Sequence, residues 1–166
     1  MADTTKAVIQ AAYLRLIEQK AADKITVKDI ARECSINRNT FYYHYQDIYA
    51  VMEDIIKTQS DYLISMYPQQ ETLRERVDFA VKEAIGHKDS LLHFYGSSRR
   101  ALFEEYLWKL CGLFVDSNVK DKGEDRSFFI RYQKCFLFGL LIDWLNSGMP
   151  EQFLDDLHKA FNELNM

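Results

Sequence analysis

With 166 residues, 48% of them apolar, and a formal net charge of −4, the chain is long and hydrophobic enough to bury a core, which excludes a disordered or collagen-like protein. The acidic balance also excludes a uniformly positive surface, so any polyanionic partner has to be met by a local patch. No leader pattern and no charge-free run of about 20 apolar residues is present, which sets the expectation of a soluble, cytoplasmic protein that does not engage a membrane. Cys34, Cys111 and Cys135 are far apart and odd in number, each in apolar company, and are expected as buried, reduced thiols.

Asp3 to Lys20 is predicted as the first helix, with Val8, Ile9, Ala12, Leu16 and Ile17 on one stripe. After a connector at 21–25 comes TVKDIARECSINRNTFYYHY, Thr26 to Tyr45. Val27, Ile30 and Ala31 have helical spacing, Thr26 and Asp29 form a capping-box pair, and Asn37 caps a second short helix after a tight turn. Phe41 and Tyr45, four apart, share its inward face. Arg38, Asn39, Thr40, Tyr42, Tyr43 and His44 are left around its tip and outer side. Two helices joined in this way, with a tip that donates hydrogen bonds, stacks and neutralises phosphate, fit a DNA major groove. Lys28 and Thr26 are added as candidate phosphate contacts.

Downstream, Asp47 caps a long segment with Val51, Met52, Ile55, Ile56, Leu63 and Met66 on one side, about 30 Å long if helical throughout. Pro68 breaks it. A helix from Glu71 to His87 follows, then an aromatic-rich stretch 88–96, and then a helix from Ser98 to about Val119 with Leu102, Phe103, Tyr106, Leu107, Leu110 and Phe114 inward. Residues 116–125 are the best loop candidate. Ser127 to Ser147 is apolar all round, with no polar side chain from Phe136 to Ile142, Gly148 ends it, and Pro150 opens a last helix carrying Phe153, Leu154, Leu157, Ala160, Phe161 and Leu164. No period-two run argues for a sheet. The fold class is therefore all-α, with about nine helices. A helix apolar all round has to be covered all round, and Phe138, Leu141, Leu145, Phe153, Leu157 and Phe161 are predicted to form a two-fold interface between copies.

Thr26 to Val51, TVKDIARECSINRNTFYYHYQDIYAV, resembles the DNA-binding segment of the TetR family of one-component transcriptional regulators. The shared features are the capping Thr, the Asp-Ile-Ala core, and a Thr-aromatic-Tyr-x-His-aromatic run. The FYYHY form is most similar to a subset of short members, some of which regulate dihydroxyacetone metabolism. Ser35 and Asn39 stand where the family usually has Gly, and Ile48 where it has Lys. The resemblance implies a helix-turn-helix domain over residues 1–46, and a helical effector-binding and dimerisation domain over 47–166. It also implies a homodimer on double-stranded, pseudopalindromic operator DNA. Repression and activation both stay open. An effector pocket would draw on Tyr62, Tyr67, His93, Phe94, Tyr95, Tyr106, Trp108 and Cys111, against the alternative that these are ordinary core.

An enzyme is not expected. His44, His87, His93 and His158 form no metal-ligand pair, and no nucleophile elbow or Gly-rich phosphate loop exists. Glu104-Glu105 and Asp155-Asp156 read as solvated faces, and neither a cofactor nor a metal is expected. The competing reading is a helix-turn-helix used for protein contact and controlled by a partner protein rather than a small ligand.

Overall fold

The computed structural model describes residues 4–65, 72–116 and 125–163, and all regular structure among them is helical. The elements are α1 (Thr4–Gln19), a 3-10 turn (Ala22–Lys24), α2 (Val27–Glu33), α3 (Arg38–His44), α4 (Ile48–Ser65), α5 (Leu73–Gly86), α6 (Lys88–Tyr95), α7 (Arg100–Asp116), α8 (Arg126–Asn146) and α9 (Phe153–Glu163). The expected all-α architecture is the one that forms. Asp3, Met66, Tyr67, Pro68, Glu71, Val119 and Leu164, named above, lie outside the described residues.

Two compact units are interleaved along the chain. The first runs to Gln59 and takes in Asp89–Phe103, and the second comprises Ser60–Lys88 and the chain from Glu104 onward. The division thus falls within α4, at the start of α6 and within α7.

In the first unit the core is Ile9, Ala12, Tyr13, Leu16 and Ile17 of α1, Ile30 and Ala31 of α2, Phe41 and Tyr45, Val51, Met52 and Ile55 of α4, and Phe94 and Tyr95 of α6. Val8, expected inside, is 41% exposed, while Tyr13 is completely buried. Tyr13 lies one turn beyond Ile9 on the inward face and meets Phe94 edge-on at 6.2 Å. Burial, reinforced by the nearby Asp23 and Tyr49, raises its hydroxyl above the usual phenol range.

Local chemistry sets the helix ends here. Thr26 Oγ1 accepts from the Asp29 amide (3.2 Å) and Asp29 Oδ2 accepts from the Thr26 amide (3.0 Å), the full capping box. At the other end of α2 the Ile36 amide donates to the Ala31 carbonyl and the Ser35 amide to the Arg32 carbonyl, a Schellman closure with Ser35 at φ 56°. A left-handed serine costs on the order of 1–2 kcal/mol.

A second capping box, between Thr72 and Glu75, opens α5 in the other unit. Its core is Leu73, Val77 and Val81 of α5, Cys111, Phe114 and Val115 of α7, Leu137, Trp144 and Leu145 of α8, and Met149, Phe153, Leu157 and Phe161. Cys111 and Val115 join Phe114 at the centre of the α7 face. Tyr106, Leu107 and Leu110, expected there, are half-buried. Helix α9 is fastened to α5 by His158 Nε2 against the Asp78 carboxylate (2.7 and 2.8 Å) and by the Arg74 guanidinium donating to Asn162 (3.0 Å). Gly148 (φ 81°) and Met149 (φ 55°) end α8, and Trp144 stacks on Phe153 at 4.8 Å while its Nε1 donates to the Pro150 carbonyl.

Of the three cysteines only Cys111 is buried, and burial pushes its thiol up to about 12. Cys34 is half-buried and Cys135 exposed, because an apolar neighbourhood in sequence does not say which side of a helix a residue occupies. Among the described residues no helix is long and apolar enough to cross a membrane.

Candidate nucleic-acid interface

Helix α3 is held from inside. Asn37 Oδ1 accepts from the Thr40 amide at 2.8 Å and so fixes where the helix starts. Phe41 is completely buried and Tyr45 nearly so. Tyr45 Oη donates to Asp54 Oδ2 at 2.7 Å, and Gln10 Nε2 donates to both of these oxygens at 3.1 and 3.0 Å. Lys6 completes the group, 3.8 Å from the same carboxylate and 5.0 Å above the Tyr45 ring. A partly buried polar knot therefore locks the end of α3 to α1 and α4.

With the inward face fixed, the outward face is determined. Arg38 and Asn39 are exposed, Thr40 and His44 are half-buried, and Tyr42 and Tyr43 are 54% and 85% exposed. Tyr42 rests edge-on against Phe41 (5.5 Å), and Tyr43 against His44 (5.0 Å). Adjacent tyrosines this open, beside a guanidinium and an amide, form a surface that offers stacking area, bidentate donors and phenol hydroxyls together.

Lys28 is also exposed. Thr26 is exposed, but its hydroxyl donates to Asp29 Oδ2 at 2.7 Å and is committed to the cap. Lys20 first, and then Thr26, hold the Asp29 carboxyl well below the usual carboxylate range.

Of the eight Lys and Arg in the first 60 residues, four are engaged in ion pairs: Lys6 with Asp54, Arg15 with Glu33, and Lys20 and Arg32 with Asp29. Lys24, Lys28, Arg38 and Lys57 make no ion pair among the described residues. Eight Asp and Glu balance these eight cations in number over the same 60 residues, so a neutral total conceals several cations without an ion pair, two of them on the helix-turn-helix.

The residues proposed for an effector pocket are divided. His93, Phe94 and Tyr95 belong to the first unit. There Phe94 and Tyr95 are core, and His93 Nδ1 donates to the Ile17 carbonyl at 2.6 Å. Tyr62, Tyr106, Trp108 and Cys111 belong to the second. Tyr62 is 46% exposed, Tyr106 and Trp108 are half-buried, Cys111 is core, and Tyr67 lies outside the described residues.

Of the six residues assigned to a two-fold interface, Leu145, Phe153, Leu157 and Phe161 are buried within the chain itself, and Phe138 and Leu141 are half-buried. Phe138 packs edge-on against Trp108 at 5.2 Å. The face of α8 that the chain leaves open carries Phe128 (65% exposed), Tyr132 (45%), Cys135 and Gly139. Phe128 and Tyr132 stack in near-parallel, 6.4 Å apart. A helical wheel drawn from the 128, 132, 135, 139 spacing would have found this face. The absence of any polar face, which led to Phe138 and Leu141, does not single it out. No group of three potential metal ligands exists among the described residues.

Comparison with known proteins agrees with this geometry. The family described as "Bacterial regulatory proteins, tetR family" matches residues 9–55, and the one described as "Transcriptional regulator C-terminal region" matches residues 80–162, half of the chain. The HTH-type transcriptional regulator YxbF of Bacillus subtilis (strain 168) is 20% identical over 155 residues, 88% of this chain and 41% of that protein. The chain thus spans about two fifths of that relative's length. Among solved structures, the dihydroxyacetone kinase operon activator DhaS superposes with a TM-score of 0.75 at 17% identity, over 96% of this chain and 93% of its own, a likeness of fold.

Proposed function

The chain belongs to the TetR family of bacterial transcriptional regulators, and from that premise we propose that it binds duplex DNA as a homodimer, with α3 as the reading helix. The observation that carries this reading is the division of α3 into a locked inner face, Phe41 and Tyr45, and an open outer one of Arg38, Asn39, Tyr42 and Tyr43. Arg38 reads a guanine edge. Tyr42, Tyr43, His44, Thr40 and Lys28 hold the phosphates and thymine methyls around it.

For the homodimer the supporting feature is Gly139. A Cβ built there meets nothing within 4 Å, so the chain's own packing does not require glycine at a mid-helix position where it costs about 0.5–1 kcal/mol relative to Ala. Close approach of a second α8 does require it. Phe128 and Tyr132 extend the same face, and two-fold pairing through it supplies the symmetry of a pseudopalindromic operator. Effector control is assigned to the second unit, where Tyr62, Tyr106 and Trp108 combine aromatic surface with polar tips.

Selection of bound duplexes from a random pool, followed by affinity measurement on the winner, tests the DNA reading. Arg38→Ala is expected to cost about 1–3 kcal/mol and to relax one position per half-site. Tyr42→Phe is expected to weaken all sequences alike. Unchanged affinity in both variants removes α3 as the reader. Gly139→Arg is expected to sediment as a monomer and to lose operator binding with α3 untouched.

A further inference from the structure

We propose that Arg99, which the turn between α6 and α7 contributes to the first unit, is an additional contact to the phosphate backbone of bound duplex DNA. This inference rests on the DNA-binding reading above. The turn is fixed rather than loose: the Ser98 amide and hydroxyl both donate to the Asp23 carboxylate (2.9 and 3.0 Å), and the Arg99 amide donates to Ser97 Oγ (3.2 Å). From this anchor the Arg99 guanidinium lies over the ring of Tyr49, its central carbon 3.9 Å from the centroid. Tyr49 is the second residue of α4 and lies five positions beyond His44, the last residue of the reading helix. Five Cα steps span at most about 19 Å, and the major groove is about 12 Å wide. A cation held at Tyr49 is therefore kept within a groove's breadth or so of the end of α3, close enough to reach a phosphate bordering the groove that α3 enters.

Two properties of the contact favour a backbone role over a purely structural one. Arg99 makes no ion pair with a carboxylate among the described residues, and the Asp23 carboxylate beside it accepts from Ser98 instead. Stacking on a ring uses the flat face of a guanidinium and leaves its in-plane N–H donors free to point outward. Both Arg99 and Tyr49 are solvent-accessible. Four of the eight cations in the first 60 residues are already neutralised by ion pairs. A remote segment thus adds a positive charge to the two, Lys28 and Arg38, that ion pairs leave uncompensated on the helix-turn-helix.

The test is a salt titration of affinity for a labelled mixed-sequence duplex, because a phosphate contact is independent of base sequence. Each lost phosphate contact flattens the slope of log K against log salt by about 0.9, so Arg99→Gln in a dimer is expected to lose about 1.8. Its affinity deficit then shrinks about tenfold between 50 and 200 mM salt. Arg99→Lys, which keeps the charge without the fork, is expected to return the slope toward wild type. An unchanged slope in Arg99→Gln overturns the proposal, and so does an equal flattening in both variants, since that makes Arg99 a strut for Tyr49. If wild-type protein shows no salt-dependent binding to any duplex, the DNA reading itself fails. A steep wild-type slope with an indifferent Arg99→Gln overturns only the Arg99 assignment.

Discussion

Helices α2 and α8 end in the same way, one in each unit, and the two endings differ in what surrounds them. Both close with a Schellman pair of hydrogen bonds: Ile36 to Ala31 and Ser35 to Arg32 in the first unit, Met149 to Trp144 and Gly148 to Leu145 in the second. In the first unit the left-handed residue is Ser35, exposed and two residues before Asn37, the cap of α3. In the second, Gly148 is followed by Met149, also left-handed but completely buried. The first turn is thus set by backbone and caps, whereas the second is held by a side chain wedged into a core. The same contrast runs through the two units. Polar caps and a polar knot fix the position of α3, and apolar packing fixes α8 and α9.

The largest expected effect comes from the packed unit. Phe161 is 1% exposed and lies 6.5 Å from Phe136, so Phe161→Ala is expected to cost about 3–5 kcal/mol in chemical denaturation. Phe41→Ala should cost a similar amount, but from the first unit. If the two variants unfold in separate transitions, with only Phe41→Ala altering the transition that reports the first unit, the two-unit description is sharpened. A single shared transition for both variants would break it.

Met149→Gly comes next. Glycine relieves a left-handed strain of about 1–2 kcal/mol, but removing a completely buried methionine side chain costs about 2–5 kcal/mol. A net loss of roughly 1–3 kcal/mol is expected, and a net gain would show that the strain, not the packing, dominates at the end of α8.

The unequal legibility of the two units in the sequence has the same origin. Thr26 with Asp29, Asn37, Asp47, and the pair Phe41 and Tyr45 are short-range devices whose partners lie within four residues, and each formed as spacing required. Tyr13 was missed because its phenol looks amphipathic in sequence, although its position one turn from Ile9 places it inward. In the second unit the deciding partners are remote: Asp78 with His158, Arg74 with Asn162, Arg76 with the Phe114 carbonyl. Composition marked α8 as needing cover on every side, but which of its faces the chain covers depends on helices 20 to 60 residues away in sequence. The sequence therefore points to Phe138, Leu141 and Gly139 on α8 without showing that Tyr132 is also left open. For Arg99 no local signal exists, because the ring it lies over is fifty residues earlier in the chain.

Acid separates the units by a smaller margin. Hydrogen bonds from Lys20 and Thr26 depress the Asp29 carboxyl, and Thr72 depresses that of Glu75. A carboxylate whose folded pKa is lowered contributes stability above its unfolded value, near 4, and that stability is lost as pH falls through the folded value. Both capping boxes should therefore weaken below about pH 4, the one at Asp29 more, because Lys20 adds an ion pair at 2.9 Å. Asp29→Asn is expected to lower stability at neutral pH and to flatten the acid limb for the first unit, measured by thermal melts across pH. An acid limb unchanged in Asp29→Asn would mean that the cap contributes through its neutral hydrogen bonds alone.

The smallest effect is the one that isolates backbone from packing. Ser35 sits at φ 56° with an exposed side chain, so Ser35→Gly removes about 1–2 kcal/mol of left-handed strain without opening a cavity. Against this, glycine gives the unfolded chain more freedom, which offsets about 0.4–1 kcal/mol. The balance is a gain of roughly half a kcal/mol, a shift in melting temperature of a few degrees for a domain of this size. DNA affinity should stay as it is, because both Schellman hydrogen bonds run from backbone amides that glycine also has. A loss of stability in Ser35→Gly would show that the serine side chain holds the turn between α2 and α3, and the contrast with the methionine-wedged end of α8 would then disappear.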